Sequence, residues 1–76
     1  MTKTQSTIAR NVKHYRKACK LSTQSAAKAC GIRPNSWNDI ERGLRDVKLS
    51  TLEAIAYTLN TSLIHLLINN PPNETY

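Results

Sequence analysis

Apolar positions recur at helical spacing along most of this chain. Ile8, Val12, Tyr15 and Cys19 fall at i, i+4, i+7 and i+11, which is one face of a helix running from about Thr7 to Lys20. Ala26, Ala27 and Cys30 give a second helix, Thr23 to Cys30, a small apolar face; Ser22 or Thr23 can cap its start, and Gly31 suits its left-handed end. The third runs from Pro34 to Arg42, with Pro where a missing N–H costs nothing and Gly43 just past the end. Trp37 and Ile40 face inward there, and Asn35, Asn38, Asp39 and Arg42 share the opposite side. Leu52, Ile55, Ala56 and Leu59 mark a fourth helix from about Ser50, with Ser50 and Glu53 at capping-box spacing and Leu49 placed to staple onto Ala54. A fifth covers Ser62 to about Ile68. The pattern predicts an all-α, compact five-helix domain over residues 7–68, preceded by an N-terminal arm, 1–6, and followed by a flexible, Pro-containing tail, 69–76.

Composition narrows this further. A chain of 76 residues is one small domain, burying only roughly 60% of its unfolded surface. Gly occurs only at 31 and 43 and Pro only at 34, 71 and 72, too few breakers for a β-rich fold. Charge is unevenly spread. Residues 1–45 carry ten Lys/Arg against Asp39 and Glu41, a balance of +8, whereas residues 46–76 carry Lys48 against three acids, a balance of −2. A domain basic at one end suits a polyanion, because neutralising phosphates releases condensed counterions.

Other chemistries find little support. No apolar segment opens the chain as a signal peptide would, and Leu63–Ile68, interrupted by His65, is too short to span a bilayer. A cytoplasmic setting, in a bacterial or phage-infected cell, follows as the expectation, with Cys19 and Cys30 as small buried hydrophobes and no membrane partner. Cys19, Cys30 and His14 lack metal-ligand spacing, so neither metal nor cofactor is expected. The chain shows no nucleophile–base pair, phosphate loop or carboxylate dyad, which argues against an enzyme.

Two short helices joined by a Gly-containing turn inside a basic half have the layout of a helix-turn-helix over 23–42. Such a motif needs a small residue where the helices cross, a turn residue that tolerates positive φ, and apolar residues locking the angle. Ala27, Gly31 and the set Ala26, Cys30, Ile32, Trp37 and Ile40 meet all of these. The indole of Trp37 reads as filling the space left by Ala26.

Residues 8–67 resemble the Cro/CI-like family of phage repressors and Xre-type bacterial regulators. The resemblance rests on Leu21-Ser22, Ala27…Gly31-Ile32, Ile40-Glu41-Arg42-Gly43 followed by Arg45, Leu49…Leu52, Ile55-Ala56…Leu59 and Ser62-Leu63…Leu66-Leu67. It implies a lambda-repressor-like DNA-binding domain, a sequence-specific transcriptional regulator acting as a repressor on duplex DNA. It also implies a salt bridge between Arg16 and Glu41, joining the first helix to the third.

The major groove takes one α-helix, entered by the third helix N-terminus first. Base readers are then Arg33, Asn35, Asn38 and Asp39, and the resemblance adds Pro34, suited only to apolar contact. Arg33 reads equally as a phosphate clamp, and Asp39 as a partner of Arg42 or a penalty on wrong sequences. Thr23 and Gln24 open the second helix, where outward N–H groups favour an anion; Ser36, Arg42 and Arg45 complete the phosphate set. Ile64, Ile68 at i+4, and Leu67 or Tyr57 form either a homodimer interface on a palindromic operator or a cap on the core. The alternative to a regulator alone is an antitoxin-type interaction module that pairs autoregulatory DNA binding with a toxin-like protein partner.

Overall fold

The computed structural model describes residues 2–68 and contains five helices: α1 (Lys3–Ala18), α2 (Thr23–Cys30), α3 (Pro34–Glu41), α4 (Leu49–Thr58) and α5 (Leu63–Leu67). The tail expected at 69–76 lies outside the described residues.

The core follows the periodicity. Ile8, Val12 and Tyr15 of α1, Ala26 and Ala27 of α2, Trp37 and Ile40 of α3, Leu52, Ile55, Ala56 and Leu59 of the α4 region, and Leu66 of α5 form one buried cluster. Cys19, Cys30 and Ile32 pack on it half-buried, so the two cysteines expected as small buried hydrophobes lie at the edge of the core. Both thiols make polar contacts within the protein: Cys19 Sγ donates to the Leu59 carbonyl at 3.2 Å and Cys30 Sγ to Thr58 Oγ1 at 3.1 Å. Desolvation raises the Cys30 pKa, partly opposed by the Thr58 hydrogen bond. No helix of the described residues is long and apolar enough to cross a membrane.

Several boundaries differ from those expected. α1 begins at Lys3, not Thr7, so residues 3–6 are helix rather than arm. A capping box explains it: Thr2 Oγ1 accepts from Gln5 N at 3.0 Å, and Gln5 Oε1 accepts from Thr2 N at 2.8 Å. This turn is polar, so apolar periodicity is blind to it. Gln5 Nε2 also donates to Asp46 Oδ1, tying the extra turn to the α3–α4 loop. α4 starts at Leu49, with Lys48 as an N-cap lacking a side-chain bond. Ser50 therefore has helical backbone and cannot cap, while Leu49 is 60% exposed and staples nothing. The earlier start lets Leu52 N donate to the Lys48 carbonyl at 2.9 Å, seating Leu52 in the core.

Four helices end in one motif. After α2, Gly31 has φ 72°, Gly31 N donates to Lys28 O, and Ile32 N donates to Ala27 O. The same paired bonds follow α1 around Lys20, α3 around Gly43 and α4 around Asn60, with φ of 59°, 73° and 57°.

Candidate nucleic-acid interface

The elbow between α2 and α3 is built from its ends inward. Ser22 Oγ accepts from Ser25 N at 3.0 Å, fixing the start of α2. At the other end Gly31 turns the chain. A Cβ there would meet nothing within 4 Å, so the glycine is required by its φ and not by crowding. Arg33 then sits extended before α3, and Pro34 takes the first helical position.

The inner side of α3 is held by apolar packing and one polar cluster. Trp37 and Ala26 are both fully buried and belong to the same core cluster. Arg16 Nε donates to Glu41 Oε2 at 2.6 Å and Arg16 Nη2 to Oε1 at 3.2 Å, a two-pronged pair. The side chains are only 12% and 8% exposed. Two further bonds complete it. Trp37 Nε1 donates to Glu41 Oε2 at 2.6 Å, and Arg16 Nη1 donates to the Leu21 carbonyl at 2.8 Å. A guanidinium fork matches a carboxylate in plane, and here the carboxylate also receives the indole. Arg16 thereby joins α1, the α1–α2 turn and α3.

The Trp37–Glu41 bond was not foreseen from the sequence, although their i, i+4 spacing on one helix was available as its signal. With Trp37 and Ile40 turned inward, Asn35, Asn38 and Arg42 are exposed and Asp39 half-exposed on the opposite side. Arg33, Ser36 and Arg45 lie elsewhere. They line a cleft of about 500 Å³ between α3 and the start of α4, together with Lys48, Thr51 and one acid, Asp46. Sequence reading missed Lys48. Pro34 and Gln24 are exposed and Thr23 half-buried. Farther off, Tyr57 is 88%, Ile64 62% and Leu67 41% exposed, whereas Ile68 is half-buried.

A locked pair of short helices whose second member bares a polar side beside a cationic cleft defines a helix-turn-helix. Comparison with known proteins agrees. Residues 7–66 match the family model for the helix-turn-helix domain. The control protein C.SmaI of Serratia marcescens is 40% identical over 60 residues, spanning 79% of this chain and 71% of that protein. The crystal structure of a hypothetical transcription factor, NHTF, from Neisseria superposes with a TM-score of 0.83 at 27% identity, covering 93% of this chain and 79% of that one. An HTH_3 family transcriptional regulator from Vibrio cholerae gives 0.81 at 32% identity over 90% of this chain, which spans only 38% of it. The chain belongs to the helix-turn-helix domain family, in its Xre-type branch, whose members are DNA-binding transcriptional regulators.

Proposed function

We propose that this protein is a transcriptional repressor that binds a palindromic operator as a homodimer, with α3 in the major groove. The observation that carries this reading is the contrast across α3. Its inner side is fixed to α1 by the Arg16–Glu41–Trp37 cluster, and Asn35 and Asn38 stand exposed on the other. Base reading falls to Arg33, Pro34, Asn35, Asn38 and Asp39. An asparagine amide can pair bidentately with adenine, Arg33 can take guanine O6 and N7, and Asp39 can accept from cytosine N4. Thr23 and Gln24 at the start of α2, with Ser36, Arg42 and Arg45, hold phosphates on the flanks. The exposed Tyr57, Ile64 and Leu67, with Ile68, supply the surface between the two copies.

Selection of binding sites from random duplex DNA at two salt concentrations tests the proposal. The expected result is a two-fold symmetric site, from which Asn35→Ala removes the preference at one position per half-site, a discrimination of about 1–3 kcal/mol. Arg45→Ala should instead weaken all sequences alike and lower the salt slope by about 1. Salt-sensitive binding without sequence preference would refute the assignment.

A further inference from the structure

α5 cannot stand on its own. It is five residues long, its N-cap Ser62 makes no side-chain capping bond, and its C-cap Ile68 is extended. The last carbonyls of any helix lack partners within it, and in one this short they are nearly all of them. Those carbonyls are met from across the molecule. Asn11 of α1, fully buried, points its Nδ2 at three of them: Ile68 O at 2.7 Å, Leu66 O at 3.0 Å and His65 O at 3.2 Å. Two N–H bonds serve three acceptors, so one is shared, and the longest contact, to His65 O, fits that role. The amide orientation is thereby fixed, since the opposite flip would press Oδ1 against three carbonyl oxygens. Oδ1 itself has no hydrogen-bond partner among the described residues.

Further contacts reach the same helix. The rings of Tyr15 and His65 stack at 6.4 Å, 14° from parallel, and Thr61 Oγ1 lies 3.1 Å from His65 Nδ1. Leu66 faces the core, while Ile64 and Leu67 of the same turn face out. The direction in which those two side chains project is set by how α5 is pinned to α1.

We propose that Asn11 is a positioning residue for self-association: its amide is the C-terminal cap of α5 and holds Ile64 and Leu67 in the pose that a second copy of the chain recognises. This rests on the homodimer reading above. Asn11 touches neither DNA nor the partner; it acts through α5.

The test is a comparison of three full-chain variants by sedimentation equilibrium, with amide hydrogen exchange read by segment. Asn11→Ala should raise the dimer dissociation constant at least tenfold and lower protection of residues 63–68 by a clearly larger factor than that of α1–α4. Its affinity for a single half-site should be unchanged, and only two-half-site binding should fall. Asn11→Asp replaces the donor by a carboxylate facing three carbonyl oxygens, so association should be lost at neutral pH. It should return on acidification, when the carboxyl takes a proton and can donate again. That pH response also decides the case if Asn11→Ala does not fold. Ile64→Glu is the control: it should abolish association with α5 protection intact.

A wild-type dimer together with an Asn11→Ala dimer of equal affinity and unchanged 63–68 protection would overturn the proposal. So would a loss of protection in α1–α4 as large as that in 63–68, with no pH rescue in Asn11→Asp, which would make Asn11 a general core residue. A monomeric wild type, insensitive to Ile64→Glu, would sink the homodimer reading itself. Exchange at 63–68 would then still report separately on whether Asn11 caps α5.

Discussion

α3 and α5 are both short helices hung on α1, yet α1 holds them by different chemistry. α3 is held by a charge pair: Arg16 and Glu41, nearly buried and joined at 2.6 Å, with the Trp37 indole as a third member. α5 is held by one neutral amide shared among three carbonyls. Helices of eight and five residues are too short to persist in water alone. Apolar packing supplies most of the stabilisation for both, but it is non-directional and tolerates small shifts. A directional polar contact does not. On the proposed function, the stronger, planar contact lies behind the helix proposed to read bases. The weaker one lies behind the helix proposed to meet a second copy.

The largest effect expected from breaking this contrast is at Glu41. Glu41→Ala removes the acceptor for Arg16 and for the indole together, leaving a nearly buried guanidinium without its counter-charge. The expected loss is about 3–5 kcal/mol, read as the shift of the urea midpoint at constant slope. Replacing both partners, as in Arg16→Met with Glu41→Met, should cost less than Glu41→Ala alone, because no unpaired charge then stays in the interior. A Glu41→Ala loss below about 0.5 kcal/mol, the level of ordinary surface substitutions, would show that the pair does not hold α3 and would end the comparison. Asn11→Ala should cost about 1–3 kcal/mol, the scale of an unmet buried polar group. A cost equal to that of Glu41→Ala would erase the distinction between the two anchors.

Most of the fold was legible because apolar spacing carries it: the faces of α1 to α4 follow from Ile8, Val12, Tyr15, Ala26, Trp37, Ile40, Leu52 and Ile55. What escaped was polar. The first turn of α1 is organised by Thr2 and Gln5, which leave no apolar period. Asn11 reads as one more polar residue in a basic helix, and its acceptors lie 54 to 57 residues away. No local pattern connects them. The outer side of α3 could be named from its inner side by subtraction. The division between that side and the cleft holding Arg33, Ser36 and Arg45 could not, because the cleft is made by the α3–α4 loop. Ser50 and Glu53 matched a capping box in spacing alone, and the seating of Leu52 prevailed over it.

The elbow adds a smaller and sharper test, because one closing motif occurs after four helices with three residue types in the left-handed position. Gly31, Gly43, Asn60 and Lys20 all have φ between 57° and 73°. Gly adopts this region freely and Asn tolerates it, but for Lys the Cβ is crowded by the backbone. Gly31→Ala meets no neighbouring atom, so its cost should be the backbone term alone, about 1 kcal/mol. Gly31→Asn should cost less. Lys20→Gly should do the reverse. It relieves the strained φ at an exposed site and should raise stability by about 0.5 kcal/mol, the relief being partly offset by the freer unfolded chain. Paired urea curves for the three variants measure these shifts directly. Opposite signs at positions 31 and 20 would show that the motif's backbone geometry sets the cost. A destabilised Lys20→Gly would mean instead that the Lys20 side chain makes a contribution larger than its strain.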